Sequence, residues 1–82
     1  MEWIEIKTRP LTDEEEELYP FADFMFDCPV PDVFENVLVT LGDGRIEVDM
    51  FDDYGYSGVD FSEYGGIVIA WKPLPKPFRK ET

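Results

Sequence analysis

Val37-Leu38-Val39-Thr40-Leu41-Gly42-Asp43-Gly44-Arg45-Ile46-Glu47-Val48-Asp49-Met50-Phe51 is the stretch on which the fold turns. From Asn36 to Leu41 the chain is almost continuously apolar, the pattern of a strand buried on both faces. Gly42-Asp43-Gly44 follows, a glycine-bearing turn of the kind that closes a β-hairpin. Arg45 to Phe51 then alternates. Side chains two apart on a strand share a face, so Ile46, Val48 and Met50 form one stripe and Glu47 and Asp49 the other. The apolar stripe is expected on the core and the two carboxylates in solvent.

The ends of the chain extend this sheet. Trp3-Ile4-Glu5-Ile6-Lys7 alternates until Pro10 stops it. Ile67-Val68-Ile69-Ala70-Trp71 is apolar on both faces and reads as a central strand, followed by Pro73, Pro75 and Pro77. Each terminal strand carries a tryptophan and ends at proline. They are expected to lie together, with Trp3 and Trp71 buried in one cluster. Residues 73–82 are expected to form a proline-rich, basic, extended tail. In between, Thr12-Asp13-Glu14-Glu15 is a capping box that opens a helix of about two turns, and Pro20 ends it. Val59 to Phe61 reads as one more short strand, beyond a polar turn at Asp52 to Gly58. The expectation is a single α+β domain over residues 1–82, with a small, mainly antiparallel sheet of four to five strands and one short helix.

Composition narrows the function. The 82 residues carry 19 acids, 7 bases and no histidine, a net charge of −12. Between Pro10 and Ala70 sixteen acids face a single base, Arg45. A phosphate backbone needs a positive surface, so no direct nucleic-acid contact is expected, and an anionic membrane repels the same body. A cationic groove on another protein is attracted over a long range. Met1 is followed by an acid rather than an apolar leader, and no apolar run approaches the ~20 residues that span a bilayer. The expected location is the cytoplasm.

Chemistry is hard to assemble from these residues. Without histidine the commonest general base and metal ligand is missing. Cys28 is the only cysteine, so it has neither a disulfide partner nor a histidine to activate it. Asp49, Asp52, Asp53 and Asp60 flank one loop, but their spacing does not match a calcium loop. Catalytic residues, metal and cofactor are all expected to be none, and the chain is expected not to be an enzyme. The acidic strand face suggests a different use. Glu47 and Asp49 should stand about 6.7 Å apart, a spacing compatible with phosphates that advance about 3.4 Å per nucleotide. With Glu14, Glu17, Asp52 and Asp53 nearby, such a surface would imitate nucleic acid. Tyr54 and Tyr56, in a loop with Gly55 and Gly58, suit protein contact. The candidate partner-binding residues are Glu47, Asp49, Asp52, Asp53, Tyr54 and Tyr56.

Several short motifs resemble a family of small phage and prophage proteins catalogued as domain of unknown function 551. They are Trp3-Ile4, Arg9-Pro10, Val37-Leu38-Val39-Thr40, and Ala70-Trp71 with Pro73-Leu74-Pro75 and Pro77. The chain departs from that pattern at Lys72 and Lys76, where the family more often has Met and Glu. The resemblance implies a small α+β domain of phage origin that acts inside the host cell. The expected function is an acidic binding protein that inhibits a host defence factor, of the anti-CRISPR or anti-restriction type. Its partner would be a host protein with a basic groove, such as a nuclease. The alternatives are a small-ligand binding or sequestering module and a virion assembly protein; the oligomeric state is left open.

Overall fold

A computed structural model describes residues 2–75; the basic end of the expected tail, residues 76–82, lies outside the described residues. The chain is α+β. Five strands form one antiparallel sheet in the order β1 (Ile4–Glu5), β7 (Val68–Pro73), β4 (Asn36–Leu41), β5 (Ile46–Asp53), β6 (Val59–Phe61). A second sheet pairs β2 (Thr8–Arg9) with β3 (Met25–Phe26). Among the described residues the one α-helix, α1, spans Asp13–Leu18, and a 3-10 turn covers Gly55–Ser57.

The expected hairpin joins β4 to β5. The Leu41 carbonyl accepts from the Gly44 N–H at 2.9 Å, and the Leu41 N–H donates to the Arg45 carbonyl at 2.8 Å. These two bonds close a three-residue loop. Gly44 sits at φ +91°, a conformation that a side chain would strain. The terminal strands meet as expected: Ile4 pairs with Trp71 and Glu5 with Ala70. β7 is interior, because its other edge pairs with β4, with an irregularity at Thr40/Leu41.

One face of the sheet holds the core. Val37, Val39 and Leu41 of β4, Phe51, Phe61, Val68 and Trp71 are buried, with Ile4, Ile6, Phe26, Val59 and Tyr64 packed against them. The Phe51 ring lies 5.1 Å from Phe61 and 5.7 Å from Phe26, which brings β3 onto the sheet. Trp71 also donates its Nε1–H to the Pro29 carbonyl at 2.9 Å, pinning the loop before β4.

β5 reverses the sequence expectation. Its inward stripe is Glu47, Asp49 and Phe51, while Ile46 and Val48 are 59% and 51% exposed. The register explains the reversal. Val37 and Val39 pair with Asp49 and Glu47, and paired residues share a face. Burying Val37, Val39 and the large Phe51 ring together therefore carries Asp49 inside. A one-residue slip would expose all three. Trp3 is the second correction. Trp71 is 5% exposed, but Trp3 is 36% exposed and stands outside the core cluster. It precedes Ile4, the inward partner of Trp71, so alternation turns it to the other face. There the Lys72 ammonium lies 4.8 Å from its ring centroid.

Buried Asp49 is fully engaged. Its carboxylate accepts from the Ser62 hydroxyl at 3.0 Å, the Glu63 N–H at 3.0 Å and the Tyr64 N–H at 2.8 Å. The Met50 N–H adds a bond at 2.7 Å. The loop from β6 towards β7 is held across the sheet by this one side chain.

Candidate partner-binding surface

The short helix forms through local chemistry. The Thr12 hydroxyl accepts from the Glu15 N–H at 3.3 Å, and Glu15 accepts from the Thr12 N–H at 2.9 Å. Arg9 grips the same Glu15 through two bonds, at 2.7 and 2.9 Å. Those bonds hold the Glu15 carboxyl down at about 2, the guanidinium being the largest cause and the Thr12 backbone bond next. No residue of α1 is buried. Arg9 and the cap fasten the helix to β2, and Glu14, Glu16 and Glu17 stay in solvent.

A second tie sets the far end of α1 beside the β5–β6 turn. The Phe21 N–H donates to the Tyr56 carbonyl at 3.1 Å, and the Ala22 N–H to the Tyr19 carbonyl at 3.1 Å. The turn itself is shaped by acids. Asp52 accepts from the Asp53 N–H at 2.7 Å, and Asp53 from the Gly55 N–H at 2.8 Å. The Tyr54 N–H donates to the Gly58 carbonyl at 2.8 Å. Tyr56 is 69% exposed, and Phe21 beside it 73%. Four of the six expected site residues, Asp52, Asp53, Tyr54 and Tyr56, thus gather at one turn. The other two do not join them: Glu47 is half-buried on the inner stripe, and Asp49 lies in the core holding the β6–β7 loop.

The reading of residues alone missed Phe21 and Asp23, and weighed Asp60 only as a metal ligand. With Phe24, Tyr54 and Glu63 they line an open cleft of about 330 Å³. The signal was present in Tyr19-Pro20-Phe21-Ala22-Asp23-Phe24, where rings alternate with an acid outside any amphipathic pattern. Burial raises the Asp60 carboxyl above the usual range, the Phe61 N–H opposes that, and the Asp49 charge adds to it. Burial, and then Asp52, Asp60 and Asp49, push the Tyr54 phenol up, so it stays a protonated donor. With Phe61, three carboxyls and four rings line one cleft, a set that suits a cation.

Three described cations have partners elsewhere on the chain. Arg9 pairs with Glu15, Arg45 pairs with Asp43, and Lys72 lies over Trp3. Among the described residues no group of three or more His, Cys, Asp or Glu is placed to hold a metal ion. Cys28 is half-buried, and its sulfur accepts from the Lys7 N–H at 3.5 Å. No described helix is long and apolar enough to cross a membrane. Comparison with family models, with curated proteins and with solved structures finds no match to this chain.

Proposed function

We propose that the chain is an acidic binding protein that docks on the basic groove of a protein partner through α1 and the β5–β6 turn. One observation carries this reading: the Phe21–Tyr56 backbone bond ties the segment that follows the acidic helix to the turn that carries Asp52 and Asp53, and both of its rings are exposed. Carboxylates around exposed aromatics combine long-range attraction with buried contact area. The surface would occupy a groove that otherwise holds nucleic acid. The resemblance to small phage proteins points to a host defence factor as the partner, a nuclease of the CRISPR or restriction type. The contact differs from a charged strand face, because Asp49 is inside and Val48 and Ile46 are out.

Capture of a partner from host lysate, followed by kinetics against salt, tests the proposal. Association should slow steeply as salt rises past the point where screening reaches about 8–10 Å. Glu14→Lys with Glu17→Lys should slow association by about tenfold or more, and Tyr56→Ala should mainly speed dissociation. An affinity that is flat with salt, or a double reversal that binds like the parent, would overturn it. A second reading rests on the cleft: a module for a small organic cation. It predicts no captured protein and saturable binding of a polyamine, abolished by Asp23→Asn with Glu63→Gln.

A further inference from the structure

We infer that the outer face of the five-stranded sheet is a surface on which a second copy of this chain packs, face to face. An antiparallel sheet with one face on the core ordinarily turns polar residues to water on the other. This sheet does so at its margins, through Glu5 at the β1 edge and Asp52 and Asp60 at the β6 edge, but its centre is largely apolar. Lys72, Leu38 and Val48 are register partners in one row, with Trp3 against Lys72. Ala70, Thr40 and Ile46 form the next row, and Glu5 flanks it. Val48 and Ile46 are more than half exposed. Met50, half-buried beside Asn36, continues the face.

Charge selects the occupant. The chain carries −12, and most of its surface would set carboxylate against carboxylate if two copies met. These rows carry one carboxylate, Glu5 at the β1 edge, and one ammonium, Lys72; Asp52 and Asp60 lie beyond Met50 at the β6 edge, outside them. A two-fold axis through the face brings apolar rows together and leaves one opposite-charge pair per copy to satisfy, which is self-complementary. A nucleic-acid groove or another strongly basic surface gains nothing from such a face. The four strands β1, β7, β4 and β5 span about 15–19 Å, and six residues of β4 about 20 Å. With side-chain relief the pair buries about 1,200 Å², at the lower edge of stable interfaces. The dimer is therefore reversible and concentration-dependent, and its packing leaves α1 and the β5–β6 turn free.

Sedimentation velocity of the whole chain over a wide range of concentration tests this. The expected result is a monomer–dimer equilibrium that tightens with added salt, opposite to the partner contact, because screening removes the net repulsion. Val48→Glu places a carboxylate in the centre of both copies and should weaken the dimer by about a hundredfold or more. Its far-UV circular dichroism should be unchanged, because the site is exposed. Ile46→Thr should weaken it less, and Val33→Ser, exposed outside these rows, should leave it intact. A parent that stays monomeric at every concentration overturns the inference. So does a Val48→Glu dimer as tight as the parent, or a chain cut after Pro75 that dimerises where the parent does not; the last result would make residues 76–82 the cover.

Discussion

Asp49 holds more of this structure than any other charged side chain among the described residues. It is 3% exposed, and it binds three groups of a loop 13 to 15 residues away. A carboxylate taken out of water is tolerated only when its oxygens are occupied. Removing it leaves the Glu63 and Tyr64 N–H groups without acceptors, so Asp49→Ala should cost about 3 kcal/mol or more in urea unfolding. Asp49→Asn keeps one acceptor oxygen and should cost less. A destabilisation of Asp49→Ala no larger than that of an exposed change such as Asp53→Ala would contradict this role. Glu15 makes a pH prediction. Its folded-state pKa, about 2, lies below its ordinary value of 4.5. The stabilisation it supplies is present above about pH 4.5 and is lost as pH falls towards 2. Side-chain carboxyl NMR should show Glu15 titrating last among the glutamates, and Arg9→Met should move it back up. A Glu15 midpoint unchanged by Arg9→Met would refute the clamp.

The elements differ in how openly the sequence announced them. The helix was legible down to its cap, because Thr12 and Glu15 act on neighbours three residues apart. The β4–β5 hairpin was legible for the same reason: its turn chemistry is local. The direction of β5 was not. Alternation separates a strand into two stripes without saying which one is covered, and Ile46-Val48-Met50 looks more like a core than Glu47-Asp49-Phe51. The decision came from partners distant in sequence. Val37 and Val39 bury that side, and Ser62 to Tyr64 supply the donors that make a carboxylate tolerable there. The terminal strands were placed correctly, but Trp3 was expected in the core cluster, although the same alternation sets it opposite Ile4 and Ile6, where it is exposed. The consequence is measurable. Trp71→Ala should cost about 3–5 kcal/mol in urea unfolding, whereas Trp3→Ala should cost well under half of that. Equal losses would mean that Trp3 belongs to the core.

At the scale of the whole molecule, charge and topology pull in different directions. The acidic balance was readable from composition. The meeting of Phe21 with Tyr56 was not readable, because one backbone bond makes it and nothing in either segment names the other. Most pairing here is long-range: β1 closes on β7, and β7 on β4. Non-local pairing slows folding, so stopped-flow refolding should lie in the millisecond-to-second range typical of sheet proteins of this size, not in microseconds. A microsecond phase with full amplitude would contradict that.

The interior position of β7 has a consequence for synthesis. A ribosome delivers β1 first and β7 last, yet β7 is the strand that joins β1 to β4. While the nascent chain is still being made, the β4–β5 hairpin has one open edge and Ile4 has no strand to meet. The core stays unsealed until Pro73 has left the exit tunnel. Folding therefore waits for β7, and a stall before Pro73 has emerged would leave Val37, Val39 and Leu41 bare to whatever chaperone or protease stands at the tunnel mouth.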